Sequence, residues 1–142
     1  MLPPMQVGEK PTGTYPWGES ATPYEEAGGE ATVKAIADHF YSVIAEDSPV
    51  LRAMLPDDTS TSAQKLFEFL SGWMGGPPLF WERHGHPALR MRHSPFPIDD
   101  HAASEWTRCM GVALRRVGIE GALLAFLEGE LGRTATHLRN HD

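Results

Sequence analysis

The sequence predicts an all-α fold of four main helices and one very short one. Three observations carry this. Apolar residues recur at helical spacing in four separate segments, no alternating β-branched run occurs anywhere, and Gly and Pro clusters fall between the periodic segments rather than within them.

Residues 1–23 are rich in Pro, Gly and Thr and show no period. They are expected to be an N-terminal extension, either loose or laid on the surface by Tyr15 and Trp17, with the folded domain covering 24–142. Tyr24 to Gly29 looks like a single helical turn ended by glycines. From about 29 to 46, Val33, Ile36, Ala37, Phe40, Val43 and Ile44 form one stripe with Tyr41 on its shoulder. Pro49 breaks the chain, and Val50, Leu51, Met54 and Leu55 suggest a short connector up to Pro56. After the capping residues Asp57–Ser60, Leu66, Phe69, Leu70, Trp73 and Met74 repeat at helical spacing until Gly75-Gly76-Pro77-Pro78. Asp99 or Asp100 can cap a helix carrying Ala102, Trp106, Cys109, Met110, Ala113, Leu114 and Val117, which Gly118 ends. A last helix, about 120–138, presents Leu123, Leu124, Phe126, Leu127 and Leu131.

Between the second and third main helices lies the most unusual stretch, residues 75–98. It holds three of the seven histidines and five of the twelve prolines. Such a segment can be neither a long helix nor a strand, and it leaves room for one short helix over about 87–94, with His93 in its last turn.

Composition narrows the function. A chain of 142 residues fits one domain. No run approaches the roughly 20 apolar residues that span a bilayer, and no charged start with an apolar block marks a leader, so the expected setting is cytoplasmic. The net charge of −7 argues against nucleic acid and anionic membrane as partners. The single cysteine, Cys109, excludes a disulfide framework and a CxxC knuckle, and reads as a small core residue. No Gly-rich phosphate loop, paired-carboxylate motif or serine elbow is present.

His93 admits two readings from its residues alone. It either caps a helix end, or serves as the axial ligand of a buried planar cofactor, with Arg90 and Arg92 as a cationic rim and Leu89, Phe96 and Ile98 as apolar walls. His84 and His86, near Glu82, offer a competing non-haem metal set with His93. Among the aromatics beside the Gly-Pro turn, Phe69, Trp73 and Phe80 are the wall candidates.

The run Gly75-Gly76-Pro77-Pro78, Gly85-His86-Pro87, Leu89 to Ile98 and Trp106 to Met110 closely resembles the group II truncated haemoglobins. The likeness is near-continuous from Gly75 to Met110 and extends more weakly to Phe40-Tyr41 and into the last helix, roughly two-thirds to four-fifths of the chain. The resemblance implies a two-over-two helical sandwich around haem b (iron protoporphyrin IX). It matches His93 to the proximal iron ligand, Trp106 and the Phe40-Tyr41 pair to the distal face, and Ser62 and Leu66 to the distal gate. Lys65 and Arg92 match partners of the haem propionates. The implied ligands are the diatomic gases O2, CO and NO, with oxygen binding or transport as the role. A haem enzyme acting on peroxide or nitric oxide, fed by an external electron donor, is the alternative, and a helical module with no haem is the third reading. Leu55 and Ser62 depart from residues common in the family, which leaves Tyr41 and Trp106 as the main expected donors and an accessible distal pocket.

Overall fold

A computed structural model describes residues 14–141. Among them are eight helices and no strand. They are α1 (Pro23–Ala27), α2 (Glu30–Asp47), α3 (Pro49–Arg52), α4 (Ser60–Trp73), α5 (Leu79–His84), α6 (Leu89–His93), α7 (Asp100–Arg116) and α8 (Gly121–His137).

The four long helices follow the apolar stripes. α2 buries Val33, Ile36, Ala37, Phe40, Val43 and Ile44, the whole stripe expected of it. Burying that face against two partners fixes the architecture, because α2 packs on α4 and also on α7, while α7 packs on α8. The result is a pair of helices, α2–α4, laid over a second pair, α7–α8.

α4 departs from its expected stripe. Leu70 and Met74 are buried, but Leu66, Phe69 and Trp73 are only half-buried, while Phe67, Glu68 and Ser71 are buried instead. A second surface of α4 is covered by α5, a helix that the sequence reading did not place. Ser71 donates from its hydroxyl to the Pro77 carbonyl at 2.8 Å, tying the Gly-Pro turn to α4. The turn itself needs glycine: a Cβ at Gly76 would fall inside the Tyr24 ring, and Gly75 has φ 91°.

The expected cap of α7 is present, α4 has no side-chain cap bond at Thr59, and α1 has a cap that the sequence reading did not name. Asp99 accepts from the Ala102 N–H at 2.8 Å, and Thr22 accepts from Glu25 N–H at 3.1 Å to start α1. α3 is locked to α7 through Ser48, whose hydroxyl donates to Glu105 at 2.9 Å. Hydrogen bonds from Arg108, then from Ser48, hold the Glu105 carboxyl down to about 2.

Residues 1–13 of the expected extension lie outside the described residues. The remainder is packed. Trp17 is 4% exposed, stacks on Tyr15 with ring centroids 5.0 Å apart, meets Phe126 of α8 edge-on at 5.2 Å, and donates its indole N–H to the Ser20 carbonyl at 2.9 Å. If this segment is part of the fold rather than an appendage, Trp17→Ala should cost about 3–5 kcal/mol, the usual loss for a buried tryptophan. A urea midpoint equal to that of the parent chain would show that the packed turn contributes nothing.

Candidate functional site

α6 is one and a half turns long and has no buried residue of its own. A helix that short cannot hold itself in water, so its position is set by its attachments. It begins at Leu89, two residues after the expected Pro87, because Ala88 takes a left-handed backbone (φ 42°) and the His86 ring Nδ1 accepts the Ala88 N–H at 2.8 Å. Left-handed alanine costs about 1–2 kcal/mol, a local strain accepted where the chain turns into the helix.

Two attachments flank α6. On the α5 side, Glu68 of α4 is 3% exposed and receives Arg83, His84 Nε2 at 2.7 Å and Gln64 Nε2 at 3.1 Å. Burial alone would raise that carboxyl, but the hydrogen bonds from Arg83, His84 and Gln64 prevail and hold it below the usual carboxylate range. The His84 ring lies 4.7 Å from Phe80, the Arg92 guanidinium sits 5.1 Å over the Phe80 ring, and Arg92 donates to the His84 and His86 carbonyls at 3.2 Å each. On the other side, Asn140 clamps the segment after α6. Its side chain accepts the Ile98 N–H at 2.8 Å and donates to the Phe96 carbonyl at 3.0 Å, and its own N–H donates to the Ile98 carbonyl at 2.8 Å.

Within that frame His93 Nδ1 lies 2.7 Å from the Leu89 carbonyl. A carbonyl can only accept, so Nδ1 carries the proton and the Nε2 lone pair of the neutral ring is uncommitted. His93 lines a cavity of about 500 Å³, within the range of small-molecule and cofactor sites.

Of the residues expected at the site, Phe40, Tyr41, Ser62, Lys65, Leu66, Phe69, Phe80, Leu89, Arg92, His93, Phe96, Ile98 and Trp106 all line this cavity. Trp73 does not; it packs half-buried against the core. The wall also has contributors that the sequence reading did not name as such. Leu51, Met54 and Leu55 come from α3 and the turn after it, and Leu131, Ala135 and Leu138 from α8 and its cap. Of the α8 residues only Leu131 belonged to the expected stripe, and nothing in its spacing says that it faces a cavity. Asn140 carried no signal at all.

Phe40 wedges the two polar wall residues into place, with its ring 5.2 Å from that of Tyr41 and 5.1 Å from that of Trp106. Neither the Tyr41 hydroxyl nor the Trp106 indole N–H has a hydrogen-bond partner among the described residues. No fully buried side-chain nitrogen or oxygen there lacks one, so both free donors border open space rather than packed protein. Burial pushes the Tyr41 phenol up to about 12, which keeps it a neutral donor across the physiological range.

The donor set fits a haem. One imidazole offers a free ring nitrogen, the remaining walls are mostly apolar, and Lys65 and Arg92 supply two cations, the latter with N–H groups beyond those given to carbonyls. His84 and His86 are engaged by Glu68 and by the Ala88 N–H respectively. Among the described residues no group of three His, Cys, Asp or Glu side chains is arranged to hold an ion.

The comparisons agree with that reading. Residues 22–140 match the family model for bacterial-like globins. The chain belongs to the group II truncated haemoglobins. It is 43% identical over 123 residues to the group 2 truncated haemoglobin of Bacillus subtilis strain 168, covering 87% of this chain and 92% of that one. Among solved structures, the cold-adapted truncated haemoglobin of the Antarctic bacterium Pseudoalteromonas haloplanktis TAC125 is 43% identical with a TM-score of 0.82, covering 85% of this chain and 99% of that one. The group II truncated haemoglobin of Bacillus anthracis is 39% identical with a TM-score of 0.83, over 86% and 98%. Membership of this family implies haem-based ligand binding and identifies the two helix pairs as its two-over-two sandwich. No helix among the described residues is long and apolar enough to cross a membrane.

The Glu68 cluster is expected to show in the pH dependence of stability. With its folded pKa below the ordinary value of 4.5, the carboxylate's contribution is complete above that value and is lost as pH falls through the folded pKa. Glu68→Gln should therefore cost about 1–3 kcal/mol near neutrality, and the gap to the parent should close under acid. A gap that stays constant from pH 7 to pH 3 would show that the charge contributes nothing.

Proposed function

We propose that this globin binds haem b through His93 and uses Tyr41 and Trp106 to hold a diatomic ligand, oxygen foremost. The observation that carries the reading is the His93 Nδ1–Leu89 carbonyl hydrogen bond, which leaves Nε2 free in a cavity that also holds two unpartnered donors. Haem held by His93 would supply the iron chemistry that binds O2, CO or NO.

The chain's own residues account for retention and selectivity. Leu89, Phe80, Phe96 and Ile98 exclude water beside His93, and Lys65 and Arg92 are suited to the two propionate carboxylates. The phenol and the indole N–H favour a ligand that gains negative charge on binding, which distinguishes oxygen from carbon monoxide. Each hydrogen bond to a charged acceptor contributes about 1.5–3 kcal/mol, roughly ten- to a hundredfold in residence time. One solved relative, from Bacillus subtilis, is described as an oxygen-avid truncated haemoglobin, 44% identical with a TM-score of 0.79 over 84% of this chain and 99% of that one. That property is what two such donors would confer here. Storage, sensing and transport of oxygen all use this chemistry. Turnover of peroxide or nitric oxide would use the same donors and would require an external electron donor; consumption rates above those of free haem would favour it.

His93→Ala, reconstituted with haem, should lose the Soret band of the parent while its apoprotein keeps the parent's helical circular dichroism. An unchanged Soret band would remove His93 as the ligand. Tyr41→Phe and Trp106→Phe should each speed oxygen release about tenfold or more, and the double variant should fall short of the product because both donors serve one acceptor. Stopped-flow off-rates equal to the parent's in both single variants would end the assignment.

A further inference from the structure

The chain carries 19 Asp and Glu against 12 Lys and Arg, yet four of those twelve meet in one groove. Arg90 of α6, Arg108 of α7, Arg133 of α8 and Arg139 just beyond it line an open groove of about 1110 Å³, together with His137. Three hydroxyl side chains complete its polar surface, and no carboxylate lines it.

The carboxylates that pair with these arginines stand outside the lining. Arg108 is taken up by Glu105 at 2.9 and 3.0 Å and by the Asp47 carbonyl at 3.0 Å, whereas among the described residues Arg133 binds only Glu130, at 2.9 Å, and Arg139 only Asp100. A guanidinium has five N–H donors, so the single carboxylate on Arg133 and on Arg139 leaves part of each fork unused. Arg90 and His137 have no hydrogen bond or ion pair at all among the described residues. Two small residues, Ala103 and Gly132, lie among these donors.

We propose that this groove binds a small multivalent phosphate: inorganic di- or triphosphate, or the phosphate end of an organic compound. Four guanidinia distributed around such a volume cannot all converge on a monoanion, whereas a chain of phosphates presents several oxygens to several forks. Nucleic acid is disfavoured by the net charge of −7. The groove also sits one residue away from the haem cavity, because Ala103 lines both.

Calorimetric titration of the full-length chain with inorganic tripolyphosphate at low ionic strength tests this. One saturable site is expected. Arg90→Ala and Arg133→Ala should each weaken it roughly tenfold, the loss of one charge-assisted contact. Both residues are exposed, so neither change leaves a buried charge behind. Lys34→Ala, on the exposed side of α2, should leave the affinity unchanged. A parallel titration with ADP separates the sources: tighter binding than to inorganic diphosphate indicates an organic phosphate, and equal or weaker binding an inorganic one. The proposal is overturned by the absence of a saturable site, by arginine variants that bind like the parent, or by a Lys34→Ala loss as large as theirs.

Discussion

The structure turns on the placement of a helix that cannot support itself. α6 contributes no buried residue, yet it carries the imidazole around which the cavity is arranged. Within it the His93 Nδ1–Leu89 carbonyl bond fixes the ring and its proton together. Everything else about its position is imposed from outside. Arg92 is anchored to the carbonyls that end α5, α5 is pinned to α4 by Glu68, and Asn140 returns from beyond α8 to hold the strand of chain that leaves α6. A pocket built this way can be stiff where its parts are short, because each fastening spans a different pair of elements.

The fastenings differ in kind, and the difference matters. Glu68 is a buried charge offset by an arginine, a histidine and an amide, so losing one partner strands the others. Asn140 works through neutral hydrogen bonds to backbone, whose individual worth is about 1 kcal/mol but whose geometry is specific. The charged cluster resists being broken, and the amide clamp sets the register of Phe96 and Ile98, two of the cavity's walls.

How much of this the sequence disclosed depends on whether a period was available. α2 was legible to the residue, since its six buried positions share one face and nothing interrupts them. α5 was not, because six residues between Pro78 and Gly85 are too few to show a repeat. Missing α5 also explains why Trp73, expected on the apolar stripe, is only half-buried. With only one covered face in view, α4 was given a single stripe, whereas contact with both α2 and α5 rotates its buried set toward Phe67, Glu68 and Ser71. Leu89, Phe96 and Ile98 were named as walls from the residues around His93, whereas the distal positions came from the family resemblance, and on spacing alone His93 could be a helix cap or a ligand. The α8 wall and Asn140 depend on contacts across long separations that no local pattern encodes.

The free donors of Tyr41 and Trp106 complete the logic of the cavity. Folding partly buries the phenol, which pushes its pKa up, without giving it a protein partner among the described residues. A donor left without a partner contributes less to the fold than a satisfied one would, and under the function proposed above it would be completed by an acceptor that arrives later. Phe40 packs against both rings, at 5.2 Å from Tyr41 and 5.1 Å from Trp106. The cavity thus gives up a little stability at two positions, and what it gives up there is what an acceptor entering the cavity would recover.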